Sequence, residues 1–361
     1  MRFGEEISEE QMRELLRPGD GIATVITADA YGQGAADSLL GESLRGLDRD
    51  AYGLVGAVGH DFYEGERQGA KGFPRFTDPA LRGPGEYAGY LRTATERSLQ
   101  RLGTEAFDLL LLHNPDRTGY ESEAVWEGMA ALRDAGLTRL VGVAPGPANG
   151  FTLDLIRCIE RFGETIDWAM VILNPLEPWP GELCLEAAER HGVRVITRVV
   201  DYGGLFWGDL SPSTPLPEHD HRRFRPDGWI ADGLDKIGRL RPIAERHGLT
   251  SMQLACAWNL SHPAVGTVAP TLVQEAGAGA TPIEAKRDEL AGLPEAGLDA
   301  ADVAAIREIG DNTGCMRLKG ASADHDGPDV PDRWGLSEEL VEAGRRFDIE
   351  PGRDLVSAAL A

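Results

Sequence analysis

Short apolar segments alternate with amphipathic helical segments along most of this chain. Seven apolar runs occur from residue 21 onward, from GIATVITAD (21–29) and AYGLVGAVG (51–59) to AVGTVAPTL (264–272). The run FDLLLLHNP (107–115) is apolar almost throughout, which is typical of a parallel strand covered on both faces. Strands that alternate with helices in this way predict a parallel sheet.

The number and regularity of these units favour a (β/α)₈ barrel over an open doubly wound sheet. Such a barrel needs roughly 250 residues, and the chain has 361. No Gly-x-Gly-x-x-Gly follows a strand, so the Rossmann fingerprint is absent. We therefore predict an α/β fold in which residues 1–310 form the barrel and residues 311–361 form a C-terminal extension that packs on it.

Two long polar segments interrupt the alternation. Residues 60–86 follow what would be the third strand of an eight-stranded barrel, and residues 201–232 follow the seventh. Because barrel enzymes build their sites at the C-terminal strand ends, we expect both segments to be ordered lids there. The extension is expected either to cover this end of the barrel or to pack at its periphery.

The charge balance argues against two classes of partner. Acidic residues number 59 against 36 basic ones, a formal net charge of −23, so nucleic acid and anionic membranes are not expected to bind. The N-terminus lacks an apolar signal-peptide core, and no run of about 18 apolar residues is present. We expect a cytoplasmic protein that binds a small molecule.

The four cysteines are scattered, which is typical of reduced thiols rather than a disulfide framework. Cys158, Cys184 and Cys256 fall in apolar helical segments, where we expect buried, inert thiols. Cys315 lies in the glycine-flanked loop DNTGCM and is the only one that we single out as a candidate reactive thiol.

Five segments resemble the aldo-keto reductase family, in the order in which that family has them. ITADAYGQGAADSLLG is similar to its Asp-Thr-Ala-x-x-Tyr-Gly signature, and FDLLLLHNPD to its Asp-Leu-x-x-x-His-x-Pro-Asp segment. GMAALRDAGLTRLVGV, VRVITRVVDYGGLFWG and QLACAWNLSHPAV are similar to later helix and strand segments. The resemblance runs from about residue 21 to residue 310. It implies a (β/α)₈ barrel, NADP as cofactor and a Tyr–His–Lys–Asp catalytic tetrad.

Only half of that tetrad is present. The resemblance implies that Tyr31 is the proton donor to a substrate carbonyl and that His113 orients this carbonyl. The aspartate position holds Ile26 and the lysine position holds Ala57. Losing both is physically consistent, because either charge alone would be buried without its partner.

The cofactor positions depart from the family as well. Ala144 and Pro145 replace the Ser-Asn pair that binds the nicotinamide amide, and the short phosphate turn is replaced by the longer APTLVQEAGAGATPIEAKR. The side chains still expected to contact NADP are Asn174, Arg198, Lys286 and Arg287.

A tyrosine without a neighbouring cation is a weak acid at neutral pH, so another group must assist Tyr31. Arg198, His60 and Asp29 are the candidates, and we include His60 and Asp29 in the predicted catalytic set. A metal site is a less favoured alternative. Its ligands would come from His219, Asp220, His221, His60, His113 and Asp201.

The N-terminus lacks a recognisable first barrel strand. The segment MRFG stands where the family's first strand ends in a turn. We expect either that the strand is missing or that another segment or chain supplies it, which makes a homo-oligomer or a partner subunit the expected protein partner.

Three functions remain open at this point. The first is an NADP-dependent oxidoreductase with a rebuilt site, acting on a small polar carbonyl or alcohol that resembles a sugar. The second is a non-redox lyase, dehydratase or isomerase that uses Tyr31 and His113 for proton transfer. The third is a non-catalytic ligand-binding or subunit protein.

Overall fold

Seven parallel strands form one sheet, with each strand paired to its neighbours in chain order. The structure, a computed structural model, describes residues 3–19, 21–68, 72–146, 151–225, 227–277, 279–295, 297–313 and 336–355. The strands are β1 (Thr24–Ile26), β2 (Gly53–Val58), β3 (Phe107–His113), β4 (Thr138–Ala144), β5 (Trp168–Ile172), β6 (Arg194–Arg198) and β7 (Val265–Ala269).

Helices cover the outer face of this sheet. Those of the βα units are α2 (Ala35–Leu44), α3 (Tyr87–Leu102), α4 (Arg117–Glu121), α5 (Glu123–Asp134), α6 (Thr152–Phe162), α7 (Leu185–Arg190), α8 (Trp229–His247) and α9 (Ser251–Leu260). Those at the two ends of the chain are α1 (Glu9–Leu16), α10 (Ile283–Ala291), α11 (Ala300–Gly310), α12 (Glu338–Arg345) and α13 (Pro351–Asp354).

The side chains of each strand divide between an inner and an outer core. Leu109 and Leu111 face a small inner cluster, whereas Leu110 and Leu112 belong to the large outer cluster beneath the helices. This alternation follows from the period of two in a β-strand. The inner cluster contains Ala28, Val55, Ala57, Leu109, Leu111, Ala144, Met170 and Ile196. The predicted α/β barrel fold is therefore confirmed.

The strand arrangement leaves β1 and β7 as the two edges of the sheet among the described residues. The N-terminal segment lies instead against the loop that follows β7. The Glu5 backbone N–H donates to the Gln274 carbonyl at 2.8 Å, and a Cβ atom on Gly4 would lie 2.2 Å from the same oxygen. The segment that precedes α1 therefore contacts the C-terminal end of the barrel rather than forming a first strand.

Both long segments are held in place by polar contacts. In residues 60–86, Arg82 donates to Asp61 at 2.5 Å and to Glu64 at 2.7 Å, and His60 forms an antiparallel bridge with Arg75. In residues 201–232, Arg222 is buried among acidic side chains. These contacts are typical of ordered loops at the strand ends.

The described part of the C-terminal extension packs at the periphery. Leu340 of α12 is fully buried in the outer core, and Arg346 pairs with Glu160 of α6 at 2.6 Å. The Trp179 indole N–H donates to the Asp354 carbonyl at 2.5 Å. The boundary at residue 310 stays a prediction, and Cys315 lies outside the described residues.

The other three cysteines, Cys158, Cys184 and Cys256, are buried thiols outside any disulfide, as the sequence predicts. In the described ranges, every helix is too short or too polar to span a membrane.

Candidate active site

A tight turn positions Tyr31 at the end of the barrel where the strands reach their C-termini, which we call the mouth. After Tyr31, Gly32, Gln33 and Gly34 take positive φ values of 59°, 54° and 93°. A Cβ atom on Gly34 would lie 2.6 Å from Nε of Arg101, so this position requires glycine. The Tyr31 side chain is 50% exposed and accessible to a ligand.

Two histidines lie beside this tyrosine. His113 ends β3, and its ring centroid is 5.7 Å from that of Tyr31 with the planes at 83°. The His60 ring lies 5.1 Å from the His113 ring on its other side. Gly59 allows this approach, because a Cβ atom there would lie 2.6 Å from the His113 carbonyl oxygen. The structure thus brings together three of the four residues predicted as catalytic.

His60 is held as a neutral ring. Its Nδ1 lies 3.1 Å from Nη1 of Arg75, and its Nε2 lies 3.1 Å from the Asn114 side-chain amide. Burial and the neighbouring Arg75 guanidinium lower the pKa of His60 to about 4. At neutral pH the ring therefore carries no positive charge.

His113 is neutral for similar reasons. Burial, then the charges of His60, Arg75 and Arg198, hold its pKa well below the usual range. Its Nδ1 is buried, and no described residue is its hydrogen-bond partner. We assign the single N–H of the neutral ring to Nε2, because an N–H on the buried Nδ1 would have no acceptor. This tautomer leaves a donor available at the mouth.

Arg198 adds a cation to the site. It ends β6, and its Nη2 donates to the carbonyls of Pro145 at 3.1 Å and Gly146 at 3.0 Å, which follow β4. Burial lowers the pKa of Arg198, and the Tyr31 hydroxyl is the largest influence that opposes this shift. The guanidinium is therefore an electrostatic neighbour of Tyr31.

Asp29 does not join this group. Its carboxyl is fully buried, and neither oxygen has a hydrogen-bond partner in the described part of the chain. Burial followed by repulsion from Asp37 raises its pKa well above the usual range. Arg101 and Asp61 are its other charged neighbours. Ala28 faces the inner core, so the next residue faces the outer layer, an alternation that the strand pattern already contained.

The two lost tetrad positions are apolar and lie on adjacent strands. Ala57 belongs to the inner cluster of the barrel, while Ile26 is 38% exposed on the edge strand β1. Neither has a polar group with which to assist Tyr31. Arg198, from the opposite part of the sheet, is the cation that remains near the tyrosine.

Asn174 is fully engaged inside the protein. Its Nδ2 donates to Glu177 at 3.1 Å and to the Val199 carbonyl at 3.0 Å, while its Oδ1 accepts from the Leu176 N–H at 2.9 Å. The side chain is completely buried. These contacts leave it no free group for a nicotinamide amide.

Lys286 and Arg287 are also engaged. Lys286 is fully buried, pairs with Asp209 at 2.5 Å and donates to the Val273 carbonyl at 2.6 Å. Arg287 donates to the carbonyls of Leu15 and Arg17 at the C-terminal end of α1. As they stand, Asn174, Lys286 and Arg287 do not fit the cofactor contacts that the resemblance implies, and of the four predicted cofactor residues only Arg198 has donors without an acceptor among the described residues.

The alternative of a metal site finds no support. Asp220 binds Arg222 and the Gly4 N–H, while His219 lies 3.1 Å from the Gly4 carbonyl. Asp201 accepts backbone N–H groups from Gly204 and Thr271. Throughout the described ranges, no three His, Cys, Asp or Glu side chains are arranged to hold a metal ion.

Sequence reasoning missed Arg75. It lies in the loop after β2, where its Nε donates to the Asn114 carbonyl and its Nη1 approaches His60. Burial lowers its pKa, and Asp116 and Tyr120 partly oppose this effect. No motif marks this arginine, and only the antiparallel bridge between His60 and Arg75 reveals its place.

Comparison with known proteins identifies relatives of this chain. The model of the aldo/keto reductase family matches residues 1–281. A probable aldo-keto reductase 1 of Glycine max is 27% identical over 245 residues, covering 66% of this chain and 64% of that protein, just under two thirds of its length. A 6-dehydroglucose reductase of Agrobacterium fabrum is 24% identical over 255 residues, covering 68% and 71%.

Solved structures share the fold. An aldo/keto reductase from Klebsiella pneumoniae, in complex with NADP and acetate, matches with a TM-score of 0.56 and 21% identity. The match covers 85% of this chain and 87% of that one. At this level of identity, the likeness supports the barrel architecture and leaves the chemistry to be argued from the site.

Proposed function

The chain belongs to the aldo/keto reductase family, and we propose that it is an enzyme acting at the oxygen of a small polar carbonyl or alcohol. The observation that carries this proposal is the cluster of Tyr31, His113 and His60 at the open end of the barrel. A half-exposed hydroxyl beside neutral imidazoles is suited to exchange a proton with a substrate oxygen.

Each residue has a distinct part in this proposal. The Tyr31 hydroxyl gives its proton to the substrate oxygen or takes it back. The Nε2–H of His113 donates a hydrogen bond to the same oxygen and so fixes its position. The Arg198 guanidinium stabilises the negative charge left on Tyr31. Arg75 keeps His60 uncharged, which avoids a third cation beside His113.

Oxidoreduction is the first form of the reaction. It is supported by the family, by the relative named 6-dehydroglucose reductase and by the neighbour solved with NADP. In this form NADP(H) supplies the hydride, and a sugar-like compound is the substrate class. The engaged side chains of Asn174, Lys286 and Arg287 do not fit the family's cofactor contacts, so NADP(H) would need contacts other than these three.

Proton transfer without nicotinamide is the second form. The same three engaged side chains favour it, together with the Ala144–Pro145 pair that has no side-chain donor for an amide. An isomerase, lyase or dehydratase acting next to a carbonyl needs the same three contributions from Tyr31, His113 and Arg198.

One titration separates the two forms. NADPH is titrated into the protein while its fluorescence is followed, with a panel of sugar-like carbonyls added afterwards. A saturable change followed by oxidation of NADPH supports the redox form. No response at protein concentrations well above a micromolar Kd, with turnover of a carbonyl in the panel, supports the proton-transfer form.

Replacing the tyrosine tests what both forms share. Tyr31→Phe is expected to lower turnover about 10²–10⁴-fold, because the proton donor is lost. Stability should be unaffected, since the side chain is half exposed. Tyr52→Phe is the matched control, because Tyr52 lies at the opposite end of the barrel, just before β2. Full activity of Tyr31→Phe would leave the non-catalytic ligand-binding or subunit function as the explanation.

A further inference from the structure

Two arginines at the mouth lack acidic partners. Arg75 contacts the Asn114 carbonyl through Nε and approaches His60 through Nη1. Arg198 contacts the Pro145 and Gly146 carbonyls through Nη2 alone. A guanidinium carries five N–H donors. Nη1 of Arg75 also lies 3.5 Å from the Phe73 carbonyl. Among the described residues, Nη2 of Arg75 and the Nε and Nη1 of Arg198 therefore have no acceptor, and neither side chain forms an ion pair there.

Several other cations of the described residues are neutralised by acids. This is expected in a chain with 59 acidic and 36 basic residues. Arg75 and Arg198 are half-buried, so they differ from these cations in having no acidic partner among the described residues while remaining within reach of a ligand. The neutralised pairs are Arg82–Asp61, Arg101–Asp37, Arg222–Asp220, Arg222–Glu275 and Lys286–Asp209.

Both arginines contact the backbone just beyond the paired strands β3 and β4, Arg75 at the Asn114 carbonyl and Arg198 at the carbonyls of Pro145 and Gly146. Arg198 ends β6 and reaches past β5 to the carbonyls after β4, the strand that pairs with His113. Arg75 contacts His60, whose ring centroid lies 5.1 Å from that of His113. Each of the two guanidinium groups is an electrostatic neighbour of His113. The mouth therefore holds two positive charges beside neutral rings.

Nearby acids are committed elsewhere. Asp116 is the carboxylate that most raises the pKa of Arg75. Its Oδ1, however, caps α4 by accepting from the Gly119 N–H, and it also accepts from the Thr77 hydroxyl. Glu177 is the carboxylate that raises the pKa of Arg198, and its Oε2 accepts a hydrogen bond from the Asn174 amide. Neither carboxylate neutralises the mouth by direct contact.

We infer that the mouth is an anion-binding site in which Arg75 and Arg198 bind a carboxylate or phosphate group of the substrate. Planar guanidinium groups bind such anions through paired hydrogen bonds. The inference rests on the proposed function, because it makes the anionic group part of the compound whose oxygen meets Tyr31. The substrate class is then a small anionic carbonyl or alcohol, such as a sugar acid or sugar phosphate, rather than a neutral sugar.

Binding of simple probes tests this inference. Inorganic phosphate, gluconate and glucose are titrated into the full chain by calorimetry, with chloride holding the ionic strength constant. Wild type is expected to bind phosphate and gluconate saturably and glucose at least about tenfold more weakly. Arg75→Met and Arg198→Met should each weaken gluconate binding by about tenfold or more. Arg198→Lys should retain part of it, which guards against a folding defect.

Arg223→Met is the matched control, because Arg223 is exposed and neighbours the buried Arg222. It is expected to bind both anions as wild type does. Absence of saturable anion binding, equal binding of glucose, or gluconate affinities unchanged in both mouth variants would overturn the inference. So would equal weakening in Arg223→Met, since the anion would then be bound elsewhere.

Two further measurements are needed. The first distinguishes a substrate anion from a cofactor phosphate, and the second distinguishes this inference from the proposed function. If the mouth variants weaken NADPH binding and leave gluconate binding intact, the arginines hold cofactor phosphates, and the substrate assignment is wrong. Tyr31→Phe is expected to bind gluconate normally while losing turnover. If Tyr31→Phe loses turnover but the wild type binds no anion, this inference is wrong and the proposed function stands. Retained turnover with anion binding defeats the proposed function and, with it, the assignment of the anion to a substrate.

Discussion

The mouth and the rim beside it differ in whether their cations are paired with acidic side chains. The mouth cluster consists of Tyr31, His60, Arg75, His113 and Arg198, and its cations have no acidic partner within the described part of the chain. The rim network lies on the loops after β6 and β7 and consists of Asp201, Asp220, Arg222 and Glu275. There Arg222 binds Asp220 at 2.7 Å and Glu275 at 2.5 Å.

The difference shows which part of the barrel end is left for a ligand. Loops after the last two strands often form a phosphate site in barrel enzymes, through backbone N–H groups. Here Asp201 accepts the N–H groups of Gly204 at 2.7 Å and Thr271 at 2.8 Å, so an internal carboxylate occupies both donors. The rim stabilises the loops, and the mouth retains free donors.

The largest expected effect comes from breaking the rim. Arg222→Met leaves Asp220 and Glu275 buried without their cation, so we expect a loss of about 3–5 kcal/mol in the free energy of unfolding. Urea denaturation followed by circular dichroism measures it. The exposed Arg223→Met provides the control. A loss below about 1 kcal/mol for Arg222→Met would mean that the rim does not depend on this network.

A smaller effect is expected from Asp201→Asn. The amide keeps one acceptor oxygen but turns its NH₂ group toward a backbone N–H, so one hydrogen bond is replaced by two facing donors. We expect a loss of about 1–3 kcal/mol in the same measurement. The exposed Asp227→Asn should cause no comparable change. Equal stability of the two variants would show that Asp201 is dispensable for joining the two loops.

An effect confined to acid pH distinguishes the mouth from the rim. Burial and Arg75 lower the pKa of His60 to about 4, so between pH ~6.5 and about 4 the unfolded chain binds a proton that the folded ring does not. The folded state is therefore fully favoured by this group above the unfolded pKa, and this contribution is lost as the pH falls toward 4.

Replacing His60 should flatten this acid profile. His60→Gln is expected to lose less stability than wild type on going from pH 6.5 to 4, measured by urea denaturation at each pH. His191→Gln, at an exposed histidine, should follow wild type. The rim is expected to lose stability only at lower pH. Burial raises the pKa of Asp220, but hydrogen bonds from Arg222 outweigh burial and lower this pKa overall. A profile of His60→Gln that coincides with wild type would refute the mouth contribution.

Much of the fold and part of the site could be predicted from the sequence. The alternation of apolar runs and helices predicts the sheet and its order, because both depend on local periodicity. Tyr31 and His113 could be placed at the mouth because each follows or ends a recognisable strand. Asp29 was predicted in the catalytic set, although the alternation that continues beyond β1 already pointed it outward, since Ala28 faces inward.

The sequence by itself determined the barrel, the order of its strands and the pairing of a tyrosine with a histidine at one end. Only the tertiary structure decided which charges were free. Arg287 donates hydrogen bonds to carbonyls at the end of α1, up to 272 positions away, and Lys286 forms an ion pair with Asp209. Arg75 became part of the mouth through contacts that its own loop forms with His60. Periodicity is a local property of the chain, whereas the neutralisation of a charge depends on which distant group the fold brings within a few ångströms of it.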